Sequence, residues 1–226
     1  MNMDYRPQVE RIGIAIDVRD VMQRVYVWMV VGLLVTAGTA FLVAGTGLWT
    51  VLANPVVLFG AIIAEFNRMS ATTAGWLFAL YSAINGFTLS LIFLAYTGED
   101  IALAFVATAA MFGAMSIVGY TTQMDLTRVG SILFMGLIGM IVASVVNIFL
   151  ASSTLYWIVT YLGVVIFVGL TAYDTQRIRR MAESVSVAQD GQEAAIGRLS
   201  VIGALILYLD FINLFLLILR IVGRRR

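Results

Sequence analysis

The chain has 226 residues, 61% of them hydrophobic, with a formal net charge of +1 and a mean hydropathy of +0.96. That balance excludes a soluble domain and predicts a single all-α, polytopic integral membrane protein, and so small a charge leaves no footprint for nucleic acid. Cys and His are both 0, which excludes disulfides, thiolate nucleophiles, His- or Cys-bound metals and a Ser-His-Asp triad.

The 14 basic residues are all Arg, as a GC-rich genome would give. Without a Gly-rich phosphate loop, a nucleophile elbow or a dinucleotide fingerprint, the chemistry left is that of carboxylates, guanidiniums, amides and hydroxyls. That set suits protons and hard cations, so neither an enzyme nor a resident cofactor is expected.

Residues 1–24 hold Arg6, Arg11, Arg19 and Arg24 and read as a cytoplasmic arm at the membrane surface. They are not a cleavable signal, because the first apolar run begins near Val25, behind mixed charge, and is too long for one. Residues 25–223 form the membrane domain and 224–226 a basic tail. Within the domain, apolar segments at about 25–45, 50–66, 75–96, 101–121, 130–150, 154–174 and 199–222 are each near the ~20 residues a spanning helix needs. Seven spans with short connections follow.

Arg placement orients them. Arg68, Arg128, Arg177, Arg179, Arg180 and Arg198 fall in alternate connections, whereas those near 45–48, 97–100 and 151–154 have none. The N-terminus is therefore expected in the cytoplasm. Arg224, Arg225 and Arg226 dissent, since a seventh full crossing puts them outside. Ala109, Gly113, Ser116, Gly136 and Gly139 are small residues expected where helices touch, and the 11 Met are expected as adaptable packing.

Asp210 stands out. It sits inside Val201–Val222, where an acid costs about 2.5–3.5 kcal/mol on insertion scales unless it is neutralised, paired or facing water. Ile206, Asp210, Asn213, Leu217 and Arg220 fall at spacings of 4, 3, 4 and 3, so they share one stripe of the seventh helix. A helix apolar all round except for one polar stripe belongs inside a bundle, with the stripe toward a cavity.

Asp174, at the expected inner end of the sixth helix in AYDTQRIRRM, has a plain local reading as an ion pair with Arg177, Arg179 or Arg180. The sharper expectation is that Asp174 and Asp210 meet, share a proton and titrate in two macroscopic steps. Asp210 lies roughly 18 Å along a helix from Arg198, so contact requires the seventh helix to start well before the hydrocarbon or to break near Gly203. Two carboxylates with Asn213 and backbone carbonyls also resemble the oxygen ligands of Ca²⁺.

Other polar groups read as structural. Asn85, Thr88 and Asn147 suit interhelical hydrogen bonds. Glu65 and Arg68 suit an interfacial pair, with Arg68 an alternative counter-charge for the diacid. Glu99 and Asp100 suit an acidic outer loop that could attract cations.

LYLDFINLFLLILRIVG (207–223), with GFTLSLIF (86–93) and AYDTQRI (172–178) in the same order, resembles the Bax inhibitor-1, or transmembrane Bax inhibitor motif, family. The resemblance covers most of the chain from about residue 20 onward. It implies a bacterial membrane protein whose seventh helix is central, and a pH-sensitive passive Ca²⁺ leak gated by an aspartate pair. The acid of YLDFIN is Asp210 and that of YDTQ is Asp174; the family's basic residue in the second span maps only loosely onto Arg68. Ca²⁺ and protons are then the partners within the bilayer. The rival expectation, also from the resemblance, is a modulator of a membrane-bound protease, gripped through the N-terminal arm. A third, a proton-coupled transporter, lacks any motif for a second solute.

Overall fold

The computed structural model describes residues 17–44, 70–184 and 192–223. Among these the chain is entirely helical: α1 (Val18–Ala44), α2 (Ala71–Leu89), the short α3 (Ile92–Ala95), α4 (Gly98–Thr121), α5 (Thr127–Leu150), α6 (Ser153–Ser184) and α7 (Gln192–Val222). Six helical stretches are long and apolar enough to cross a membrane, with α2 and α3 counting as one. Six rather than seven spans are thus present among the described residues, and the expected second span at 50–66 lies outside them, as do Glu65, Arg68, the basic tail and residues 1–16 of the arm.

α7 is the axis of the bundle. α1, α2, α4 and α6 all pack on it. Its fully buried side chains include Leu207, Tyr208, Leu214 and Leu219. The reason is in its composition: apolar residues surround all of it but one narrow stripe, so nearly every face gains by contact. Tyr208 meets Phe78 edge-on at 5.5 Å and Tyr81 at 6.1 Å on the α2 side. Phe211 meets Phe105 and Phe112 of α4, each at 5.5 Å. α5 is the opposite case, burying only Gly130.

Helix starts are set by local caps. Ser70 accepts from the Thr73 N–H at 3.2 Å to open α2. Thr97 accepts from the Asp100 N–H at 3.1 Å, and its hydroxyl donates to the Asp100 carboxylate at 2.8 Å. Glu99 and Asp100 therefore lie in the first turn of α4, where acids complement the helix dipole, and not in a free acidic loop. The expected span at 75–96 is interrupted at Ser90, whose hydroxyl donates to the Phe87 carbonyl at 2.6 Å; such back-bonding bends helices.

Of the expected glycines Gly136 stands close to a neighbour, Ile166 Cδ1 lying 3.2 Å from where its Cβ would be, and two other glycines come closer still. A Cβ on Gly119 would lie 2.2 Å from the Ala172 carbonyl oxygen, and one on Gly86 2.3 Å from that of Thr36. Gly119 thus seats α4 on α6, and Gly86 seats α2 on α1. Gly113 and Gly139 have nothing within 4 Å of that position, and Ala109 is exposed. Those three residues do not bring helices together.

Candidate functional site

α6 extends well beyond its apolar stretch, so Asp174 is not at a helix end. It lies roughly 15 Å of helix before Ser184. α7 begins at Gln192 and passes Gly203 unbroken, placing Asp210 roughly 27 Å from its start. The early start satisfies the first of the two conditions for contact between the acids, and no break is needed.

The two carboxyls meet. Asp174 and Asp210 are 8% and 5% exposed, and both side chains line one cavity at the α6–α7 interface, close enough for each carboxyl to act on the other. No hydroxyl, amide or guanidinium donates to the buried Asp210 Oδ2. Two carboxyls this close in a buried site cannot both ionise cheaply.

The local ion-pair reading of Asp174 holds for Arg177 alone, as a long pair. Arg177 Nη1 stands 3.9 Å from Asp174 Oδ1, beyond hydrogen-bonding range. Arg179 binds Glu183 at 2.8 Å and the Tyr120 carbonyl, and Arg180 binds Asp125 at 2.7 Å.

The pair opens onto a cavity of about 980 Å³ between α5, α6 and α7, lined by Ser131, Tyr173, Asp174, Arg177, Asp210 and Asn213 among others. Ile206 and Leu209 line it too, so the polar stripe of α7 faces this space as its spacing predicts. Asn213 donates to the Leu209 carbonyl at 2.8 Å, which leaves its Oδ1 as an acceptor. Among the described residues no group of three acidic side chains converges anywhere. Ca²⁺ prefers 6–8 oxygens, so two carboxylates and one amide suit brief contact with a cation better than storage.

A smaller space of about 270 Å³, lined by Tyr173, Gln176, Arg177 and Arg180, adjoins it toward the Arg-rich end. Tyr173 and Arg177 line both spaces.

The other sequence candidates lie elsewhere. Asn85 belongs to a separate buried cluster on the far face of α7. There Tyr208 shares a 2.8 Å hydrogen bond with Thr36, and Thr36 donates to the Ser82 carbonyl at 2.9 Å. Asn85 adjoins the Tyr81 and Tyr208 hydroxyls. Thr88 donates back to Ile84, and Asn147 accepts from the Ser152 N–H at 3.0 Å as a C-terminal cap of α5. Neither makes an interhelical bond. Sequence reading missed Gln176. Its amide donates to the Met124 carbonyl at 2.8 Å and accepts from the Leu126 N–H at 3.0 Å, holding the α4–α5 loop against α6.

The family model described as inhibitor of apoptosis-promoting Bax1 matches residues 18–226. The inner membrane protein YbhL of Escherichia coli K12 is 49% identical over 217 residues, covering 91% of this chain and 92% of that protein. A protein of Borreliella burgdorferi is 50% identical over 178 residues, covering 77% and 75%. RP147 of Rickettsia prowazekii is 41% identical over 219 residues, covering 92% and 91%. A helical bundle of spanning length, matched along nearly its whole described extent to these bacterial proteins, belongs to the Bax inhibitor-1 family of membrane proteins.

Proposed function

We propose that the chain is a passive, pH-sensitive Ca²⁺ leak in a bacterial cytoplasmic membrane, with its N-terminus inside and the Asp174–Asp210 pair as latch. The observation that carries the reading is the juxtaposition of two buried acids from adjacent helices at the wall of one largely apolar cavity. With one proton between them the acids hold α6 to α7. When that proton leaves, two charges about 4 Å apart repel by about 4 kcal/mol at an effective dielectric of ~20. That is roughly a 10³-fold change in an equilibrium, enough to carry a 1:99 open population to about 10:1. A divalent cation passing the separated carboxylates would be attracted by both and held by neither for long.

Ca²⁺ entry into proteoliposomes, followed across pH, tests this. Flux through the wild type is expected to rise as the shared proton is lost. Asp174→Asn and Asp210→Asn leave at most one ionisable group and should flatten that rise. Wild-type curves from both variants would sink the latch.

A further inference from the structure

We propose that the groove between α1 and α4 at the Arg-rich end of the bundle is a phospholipid site, holding one acyl chain along its length and the phosphate on Arg19. α1 and α4 each pack on α7 and leave between them an apolar groove of about 520 Å³, whose lining includes Arg19, Tyr26, Met29, Phe112, Gly113 and Ser116. The start of α1 and the end of α4 share one end of the bundle. Arg24 of α1 bridges to Glu193 at the start of α7, and Arg179 reaches the Tyr120 carbonyl near the end of α4.

Three observations choose the occupant. From Arg19 to Met29 the groove follows roughly 15 Å of helix, which is half of the ~30 Å hydrocarbon thickness and so the depth of one leaflet. The Arg19 guanidinium, like those of Arg128, Arg198 and Arg220, makes no ion pair among the described residues, and of these four it alone lines the groove. Its backbone N–H is taken by Asp17, and its side chain remains for an anion with the planar fork that phosphate fits. Finally, Ser116 is 4% exposed, yet its hydroxyl has no partner. Thr108, Thr121, Ser131 and Ser144 return theirs to a carbonyl four residues back. A glycerol ester carbonyl, lying just below the phosphate, would supply the missing acceptor once the side chains covering that hydroxyl shift to admit the lipid.

The open space over Gly113, with nothing within 4 Å of a Cβ there, supplies the test. Native mass spectrometry of the full chain in mild detergent should show saturable binding of one phosphatidylglycerol. Arg19→Gln should weaken it about fivefold, the effect of one Arg near a phosphate surface, and bring it level with diacylglycerol of the same chains. Gly113→Leu should abolish binding of both while leaving the melting temperature intact, and Gly113→Val should give a partial loss should the larger residue prevent folding. The proposal is overturned if both folded groove-filling variants bind like wild type. It is equally overturned if uptake never saturates, or if binding needs deletion of residues 1–16, which would give the groove to the arm.

Discussion

Replacing Gln176 by Leu tests how the site is held. Gln176 is 4% exposed, and both ends of its amide are used, at 2.8 Å to the Met124 carbonyl and 3.0 Å from the Leu126 N–H. Leucine fills a similar volume but leaves one backbone donor and one acceptor unpaired, each worth about 1–3 kcal/mol when buried. Water at the loop recovers part of this, so the expected loss is about 2–4 kcal/mol. At roughly 2–4 °C per kcal/mol for a chain of this size, the melting temperature in detergent should fall by about 4–16 °C. Hydrogen exchange should rise first at residues 122–127. Gln176→Glu separates hydrogen bonding from packing. At neutral pH a carboxylate still accepts from Leu126 but repels the Met124 carbonyl, and on protonation it donates again, so this variant should regain stability as pH falls. A Gln176→Leu protein that melts within about 1 °C of wild type would refute the reasoning.

Two further outcomes are expected. The Asp125 carboxyl is held below the ordinary carboxylate range by the hydroxyl and N–H of Thr127, then by Arg180. Its folded pKa is depressed, so its contribution to stability is present above the unfolded value of about 3.9 and is lost as pH falls below it. Loop protection measured by hydrogen exchange should decline over that acidic window, and less so in Asp125→Asn, whose amide oxygen still accepts from the Thr127 N–H. Gly119→Ala must push a methyl against the Ala172 carbonyl and should cost about 1–3 kcal/mol of overpacking. Gly139→Ala meets nothing and should stabilise by about 0.5–1 kcal/mol, as thermal melts of the two variants will show.

The spans were legible because apolar runs of bilayer length have few other uses, and Asp210 was legible because it interrupts one. The stripe of Asp210 and Asn213 followed from helical spacing alone. The Arg-rich end of α6 was not. Its apolar stretch stops near Asp174, and the helix runs on because Gln176, Arg179 and Arg180 find partners in Tyr120, Met124 and Asp125, more than fifty residues away in sequence. No local window contains those partners. Gly113 and Gly139 failed for a related reason: composition shows where small residues are, whereas Gly119 rather than Gly113 faces a neighbour only because α4 turns that side to α6.

The unbroken α6 joins two places that differ in everything but rigidity. One of them is a pair of buried acids at a cavity wall, and the other is a loop tied down at the Arg-rich end by Gln176 and Arg180. A stiff rod cannot shift at one of these points and stay still at the other. Whatever parts the acids must tug on residues 122–126, so events deep in the lipid become readable by a probe that never enters it.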